Sequence, residues 1–324
     1  MPAAPLLAIE DLSIGFRGEH GIAPVIDHLS LTIEAGRIVG LVGESGCGKS
    51  VTARAIMRLL PMPPAQIDEG RILLDDDNLL SLDDAGMRDV RGNQIGMVFQ
   101  EPMTSLNPTL PIGFQVGEAL RLHQKLDRAT VRRRVLETLD LVGIGAAERR
   151  FEQYPHELSG GLRQRVMIAI SLICRPRLLI ADEPTTALDV TIQAQILELL
   201  VSLRDELGMA ILLITHDLGV VANYADEVMV MYAGKLVETG PVGPLFDHPR
   251  HPYTDGLLGA IPRLSQSRAT LSTIPGTVPD PASMPKGCRF AARCDRAIDR
   301  CISDQPLLEV VDDPLHAVAC WNPV

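Results

Sequence analysis

The residues best suited to chemistry form a glycine-rich run that ends in a lysine and a serine. The run reads Gly43-Glu44-Ser45-Gly46-Cys47-Gly48-Lys49-Ser50 and lies between a predicted buried strand at 37–42 and a predicted helix at 50–60 that stops at Pro61. Its glycines let the backbone wrap an anion, and the helix N-terminus adds the positive end of its dipole. The pattern therefore predicts a nucleotide-phosphate site.

Particular roles follow from the chemistry of this loop. Lys49 is expected to reach the β- and γ-phosphates, and the Ser50 hydroxyl is expected to bind Mg²⁺. The first helical residues, Val51 and Thr52, complete the predicted ATP contacts.

A pair of carboxylates follows a second apolar segment. The predicted strand at 177–182 ends in Asp182, which we expect to act on Mg²⁺ through water or through another ligand, and Glu183 follows it. We predict that Glu183 polarises the water that attacks the γ-phosphate. Taken alone, the pair is equally typical of a helix or turn cap. The phosphate loop in the same chain favours the catalytic interpretation.

Composition narrows the class of protein. The 324 residues are 46% hydrophobic but only 3% aromatic, which is typical of an α/β protein with a parallel sheet. The net charge of −11 argues against a general nucleic-acid binder. No basic, apolar leader precedes the first acidic residues, and the longest apolar runs are too short to cross a bilayer. We expect a soluble chain that reaches a membrane only by docking.

The order of elements agrees with this class. Strands and helices alternate from about 158 to 226, which predicts a parallel sheet with crossovers, and a hairpin is expected to turn at Ala233-Gly234. Residues 112–150 have helical spacing, with two amphipathic helices predicted at 118–144. Residues 244–286 are rich in proline, and four cysteines crowd the segment after them.

The run Leu158-Ser159-Gly160-Gly161-Leu162-Arg163-Gln164-Arg165 resembles the signature motif of ATP-binding-cassette (ABC) proteins. In that family the signature of one subunit closes over the ATP that the other subunit's phosphate loop holds. The resemblance implies that Ser159, Gly160, Gly161 and Gln164 act in trans and that ATP joins two ATPase subunits. Leu162 stands where the family commonly has glutamine.

Further family landmarks occur in order. Gln100 resembles the Q-loop glutamine that contacts Mg²⁺ and water, Asp189 in Ala187-Leu188-Asp189 resembles the D-loop residue, and His216 resembles the switch histidine at the γ-phosphate. Phe16 is a candidate to stack on adenine, or alternatively a strand-packing residue. The resemblance implies a P-loop NTPase cassette over 1–243, with a RecA-like parallel-sheet core, an antiparallel β subdomain and a helical subdomain at about 101–160.

Two stretches are similar to the ATPases of dipeptide and oligopeptide importers. They are Gln100-Glu101-Pro102-Met103-Thr104-Ser105-Leu106-Asn107-Pro108, and the start of a C-terminal extension over 244–324 with Pro244-Leu245-Phe246, His251-Pro252-Tyr253-Thr254 and Leu257-Leu258. This likeness implies an ATP-hydrolysing subunit at the cytoplasmic face of a bacterial inner membrane. Its expected partners are a second, related ATPase, two transmembrane permeases and a solute-binding protein. Alternatives are a nickel or other small-solute importer, and a soluble ABC ATPase outside transport.

The C-terminal cysteines are Cys288, Cys294, Cys301 and Cys320. Their spacing matches neither the common zinc patterns nor the ferredoxin runs, yet four thiolates in one short segment favour a soft metal. Arg289, Arg293, Arg296 and Arg300 could offset the charge of such a centre. A similar cysteine set in peptide-importer ATPases implies a [4Fe–4S] cluster, with zinc or reduced thiols as alternatives. Cys47 and Cys174 are expected not to be ligands.

Overall fold

The computed structural model describes residues 4–19, 21–100, 105–186, 188–260, 273–311 and 314–324. The chain divides into two compact units. One unit comprises residues 1–33, 38–80 and 214–324, and the other comprises 34–37 and 81–213. Within the described ranges, no helix has both the length and the hydropathy to span a membrane.

The described strands are β1 Leu7–Gly18, β2 Gly21–Ile33, β3 Ile38–Val42, β4 Ala65–Leu74, β5 Asp77–Asn78, β6 Ile95–Val98, β7 Leu178–Asp182, β8 Ala210–Thr215, β9 Glu227–Tyr232, β10 Lys235–Pro241, β11 Glu309–Val310 and β12 Ala317–Val318. The described α-helices are α1 Lys49–Ile56, α2 Asp84–Val90, α3 Ile112–Val116, α4 Glu118–His123, α5 Arg128–Leu141, α6 Ala147–Phe151, α7 Gly160–Leu172, α8 Val190–Leu207, α9 Leu218–Tyr224, α10 Val242–Asp247, α11 Pro252–Gly259 and α12 Asp299–Ser303.

The first unit contains an antiparallel sheet in the order β2-β1-β4-β5. Alternating apolar residues on β1 and β2 form its buried face, including Leu12, Ile14 and Ile26 at 1% exposure or less. The predicted antiparallel β subdomain is therefore present in this unit.

The same unit contains the strand that enters the phosphate loop. All five residues of β3 are buried, and β3 pairs in parallel with β9. The β9–β10 hairpin turns at Ala233 and Gly234, as predicted, and β10 pairs with β12. A strand buried on both faces is expected to be a continuous apolar run, and β3 is one.

The second unit carries the carboxylate strand and most of the helices. Here β6 and β7 pair in parallel, and all five residues of β7 are buried. Helix α7 buries Val166, Ile168 and Ala169 completely. The two amphipathic helices predicted at 118–144 are α4 and α5.

Several predicted boundaries are wrong. Helix α1 ends at Ile56 rather than at Leu60, because Arg58 has a left-handed φ of 48° that no helix continues. The apolar run at 95–100 predicts a strand that Gln100 closes, but strand β6 ends at Val98 and Gln100 lies two residues beyond it. Residues 101–104 of the importer-like stretch, Ala187 of the D-loop and Pro262 of the proline-rich segment lie outside the described residues.

The C-terminal segment, which belongs to the first unit, packs into the hydrophobic core of that unit. Val42, Val230 and Tyr232 of the sheet pack in one cluster with Tyr253 and Phe290. The rings of Tyr232, Tyr253 and Phe290 have centroids 4.7–5.4 Å apart and pack edge to face or tilted. Residues 244–260 and the cysteine segment are thus ordered, in agreement with the apolar residues that persist there.

Candidate nucleotide site

The phosphate loop requires glycine at two positions. Gly43 has φ 151°, and a Cβ added there would lie 2.1 Å from the Met231 carbonyl oxygen. Gly48 has φ 112° and caps α1 at its N-terminus. Glycine alone adopts these dihedral angles without strain, and at Gly43 it alone fits beside the Met231 carbonyl. Helix α1 begins at Lys49, directly after the second of these glycines.

Lys49 is held by the loop it belongs to. Its side chain is 5% exposed, and Nζ donates hydrogen bonds to the carbonyls of Gly43 at 2.7 Å and Glu44 at 3.0 Å. A buried cation fixed by two carbonyls is preorganised for an anion at the loop. Thr52 is also buried, and its hydroxyl donates to the Gly48 carbonyl, so it stabilises the first turn of α1.

Cys47 is the unusual member of the loop. It is fully buried, and burial raises the pKa of its thiol although the Lys49 ammonium lowers it in part. A thiol that stays protonated is a poor nucleophile. That Cys47 is not a metal ligand stays a prediction.

Glu44 is bound on three sides. Its N–H donates to the Tyr253 hydroxyl at 2.9 Å, and its carboxylate accepts two hydrogen bonds from the Arg293 guanidinium at 2.6 and 3.0 Å. No pattern in the sequence places Tyr253 or Arg293 at this site, because their partner lies more than 200 positions away. The only local signal was an acidic residue inside an anion-binding loop.

In the second unit the structure brings two predicted catalytic residues together. Gln100 Nε2 donates to Glu183 Oε2 at 2.9 Å, and the Thr186 hydroxyl donates to the same oxygen at 2.8 Å. Glu183 has a φ of 48°, which is strained for a residue with a side chain. Asp182 ends β7 and is 3% exposed. The expected end-of-strand carboxylates are thus in place, and Thr186 is a partner that the sequence reasoning missed.

The residues that resemble the signature motif also lie together with Asp189, the candidate D-loop residue. Ser159 precedes α7 as its N-cap, and one cavity is lined by Ser159, Gly160, Gly161, Leu188 and Asp189. The Asp189 carboxylate accepts a hydrogen bond from the Ile192 N–H at 2.9 Å and so caps α8. Gln164 does not line this cavity, because its side chain is buried at 2% exposure.

His216 and Phe16 both belong to the first unit. His216 is exposed directly after β8, and the next residue, Asp217, caps α9 by accepting hydrogen bonds from Gly219 and Val220. Phe16 is half-buried on β1, where it lies opposite Ala23 and Ala65.

The four C-terminal cysteines lie close enough to interact. Burial, with smaller contributions from Cys301, Cys320 and Cys294, raises the pKa of the Cys288 thiol to about 11. The Cys288 N–H donates to the Cys301 carbonyl at 2.8 Å. Within the described part of the chain, however, the only three ligand atoms within 4.8 Å of one another belong to exposed Asp11, His28 and Glu69. The sulfurs therefore do not form a compact metal-binding group.

The four predicted arginine partners of these cysteines all bind other groups, although Arg296 also lowers the pKa of Cys294 and Cys320 in part. Arg289 hydrogen-bonds the Asp27 carboxylate and the Ala233 carbonyl, and Arg293 binds Glu44. Arg296 donates to the Pro323 carbonyl, and the Arg300 guanidinium lies 3.3 Å from the centre of the Trp321 ring. Arg289 and Arg293 therefore tie the cysteine segment to the rest of its unit.

Comparison with known proteins agrees with this architecture. Residues 26–186 match the ABC transporter family, and residues 237–301 match the family "Oligopeptide/dipeptide transporter, C-terminal region". The chain therefore belongs to the ABC transporter ATP-binding proteins that carry the oligopeptide/dipeptide-type C-terminal region. Such cassettes hydrolyse ATP, so the chain is an ABC-type ATPase.

Individual relatives are similar over nearly their whole length. The dipeptide transport ATP-binding protein DppD of Bacillus subtilis is 50% identical over 98% of this chain and 94% of that protein. The oligopeptide transport ATP-binding protein OppD of the same organism is 50% identical over 98% of this chain and 88% of that protein.

Solved structures agree on the cassette. A dimeric post-hydrolysis structure of the ATP-binding cassette MJ0796, bound to ADP and Pi, has a TM-score of 0.65 and 28% identity over 73% of this chain and 98% of that chain. The cbiO1 subunit of the cbiONQ transporter from Clostridium perfringens has a TM-score of 0.65 and 30% identity over 76% of this chain and 92% of that chain.

Proposed function

We propose that this chain hydrolyses ATP to drive the import of dipeptides or oligopeptides across a bacterial cytoplasmic membrane. The proposal rests on one observation: the same chain contains a glycine-dependent phosphate loop and the oligopeptide/dipeptide-type C-terminal region. The printed names of DppD and OppD support peptides as the solute.

In this proposal the phosphate loop and α1 bind the triphosphate, with Phe16 against the adenine. Lys49 contacts the β- and γ-phosphates, and Ser50, Gln100 and Asp182 hold Mg²⁺. Glu183 orients and polarises the attacking water, and its hydrogen bonds from Gln100 and Thr186 support this role. His216 stabilises the transferring phosphoryl group.

The assembly follows from the signature residues. Ser159, Gly160 and Gly161 cover ATP held by a second ATPase subunit, and Asp189 lies at that interface. The shared cavity of these residues supports this arrangement. Gln164, whose side chain is buried at 2% exposure, is not part of this cavity. The other partners are two transmembrane permeases and a solute-binding protein, with the chain bound at the cytoplasmic face of the membrane.

We further propose that residues 244–324 form an extension to a cassette at 1–243 and bind a [4Fe–4S] cluster through Cys288, Cys294, Cys301 and Cys320. Their mutual effect on the pKa of Cys288 supports a shared site. The four thiolates are the soft ligands that iron–sulfur clusters take, and zinc is the alternative occupant.

Spectroscopy of anaerobically purified protein tests the cluster. We expect absorption from thiolate-to-iron charge transfer, an EPR signal on reduction, and about four irons per chain, all lost in Cys301→Ser. Cys174→Ser is the control, because Cys174 lies in the other unit. Stoichiometric zinc, or thiols without metal, would contradict the assignment.

Reconstitution tests the transport function. The chain should co-purify with two multi-span membrane proteins, and the complex in vesicles should accumulate labelled peptide only with ATP inside the compartment that faces this subunit. Lys49→Ala should stop uptake. Uptake of nickel but not of peptide would overturn the peptide proposal, and ATPase activity with no membrane partner would favour a soluble role.

A further inference from the structure

The phosphate loop contains an acidic side chain that needs an explanation. Glu44 is the second residue of a loop whose task is to bind a polyanion, and its side chain is only 30% exposed. A bare carboxylate there would repel the phosphates of ATP, because charges near a protein surface interact through an effective dielectric well below that of water. The loop therefore needs a cation that cancels Glu44.

Arg293 provides that cation in a fixed geometry. Its guanidinium binds both Glu44 oxygens in a fork, and its side chain is 6% exposed. It also donates to the Pro275 carbonyl at 2.8 Å, and it lies 5.7 Å from the Tyr232 ring centre and 5.9 Å from that of Phe290. Forked pairing combined with aromatic packing is suited to arginine and not to lysine.

Arg293 belongs to the C-terminal cysteine segment, which is distant in sequence from the phosphate loop. Arg293 lies in a short 3-10 turn, Ala291–Arg293, between Cys288 and Cys294. Phe290 of the same segment packs in the core beside Tyr232 and Tyr253, and Tyr253 accepts the Glu44 N–H. The cysteine segment thus contacts Glu44 through one ion pair, while the helix before it holds the Glu44 backbone.

We propose that Arg293 is a positioning residue of the nucleotide site, which neutralises and orients Glu44 so that the phosphate loop accepts ATP. The C-terminal cysteine segment is then a working part of the nucleotide site as well as an attachment to the cassette. This inference rests on the proposed placement of ATP at the phosphate loop.

Equilibrium binding of Mg-ATP to the full chain tests the inference. Arg293→Gln should raise the Kd about tenfold, equivalent to about 1.4 kcal/mol, because it exposes the Glu44 charge to the phosphates. Adding Glu44→Gln to this variant should return the Kd to within about threefold of the wild type, because the repulsion disappears with the charge. The loss in Arg293→Gln should also shrink as ionic strength rises.

Matched variants make the outcome decisive. Arg71→Gln breaks another arginine–glutamate pair of the same unit, the exposed pair with Glu10, and should leave the Kd unchanged. Urea midpoints measured for each variant separate weak binding from unfolding. Wild-type affinity in Arg293→Gln, or a double variant as weak as the single one, would overturn the inference. Unchanged binding in Lys49→Ala would instead overturn the placement of ATP at this loop.

Discussion

At the scale of single residues, Glu183 is the clearest sign of function. It combines a left-handed backbone angle with a carboxylate that accepts two hydrogen bonds at 2.8 and 2.9 Å. Strain of this kind costs about 1–3 kcal/mol and persists where the surroundings hold the residue for a purpose. Its position after a buried strand was predictable from the apolar run, but its strain and its partner Thr186 were not.

His251 gives a residue-scale prediction about pH. Burial lowers the pKa of His251 to about 3, and its Nδ1 accepts the Tyr253 N–H at 3.0 Å. The unfolded chain binds this proton near pH 6.5, so the folded state loses stability as the pH falls below that value. Between pH 7 and pH 5 the free energy of unfolding should fall by roughly 2 kcal/mol because of this residue.

Urea unfolding at a series of pH values checks the effect. His251→Asn keeps an acceptor for the Tyr253 N–H and removes the titration, so its stability should depend less on pH between 7 and 5. His248→Asn changes an exposed histidine of the same segment and should keep the wild-type dependence. If His251→Asn and the wild type lose stability equally, the buried neutral histidine is not the cause.

At the scale of elements, the side chains that cap two helices are candidate functional residues or lie next to one. Asp189 caps the 18-residue α8, and Asp217 caps α9 directly after His216. Each cap satisfies backbone N–H groups that no residue of the helix can bind. Asp189, the candidate D-loop residue, and Asp217, the neighbour of the candidate switch histidine, therefore have structural roles.

The cap at Asp189 predicts a difference between two substitutions. Asp189→Ala should lower the free energy of unfolding by about 1 kcal/mol, since alanine cannot accept the Ile192 N–H. Asp189→Asn should lower the free energy of unfolding by only a few tenths of a kcal/mol, because asparagine caps about as well as aspartate. Urea denaturation measures both. Equal losses in the two variants would show that the carboxylate charge, rather than the cap, stabilises this end of α8.

The elements also show how far the sequence could predict the fold. The buried strands β3 and β7, helix α7 and the Ala233–Gly234 turn were predictable from apolar runs, helical spacing and turn residues. The early end of α1 was not, because a left-handed φ at Arg58 leaves no pattern in the sequence. The ion pair of Glu44 with Arg293 was not predictable either, because it depends on how the chain returns to the loop after 249 positions.

At the scale of the molecule, the C-terminal region belongs to the unit that carries the phosphate loop. Tyr253, Phe290, Cys288 and Cys301 pack in the core with strands β3 and β9. Glu238, which is fully buried, accepts hydrogen bonds from the N–H groups of Arg250 and His251 and pairs with His316. The chain thus returns repeatedly to the same sheet, and the tail contacts the nucleotide loop directly through the Arg293–Glu44 ion pair.

The central claim is that this chain hydrolyses ATP with Glu183 as the base that polarises water. The most direct measurement is ATP binding and ATP turnover of Glu183→Gln, beside Glu206→Gln as an exposed glutamate of the same unit. We predict a Kd for Mg-ATP within about threefold of the wild type and a turnover reduced about 10²–10⁴-fold for Glu183→Gln, with Glu206→Gln unchanged. Normal turnover by Glu183→Gln would contradict the account.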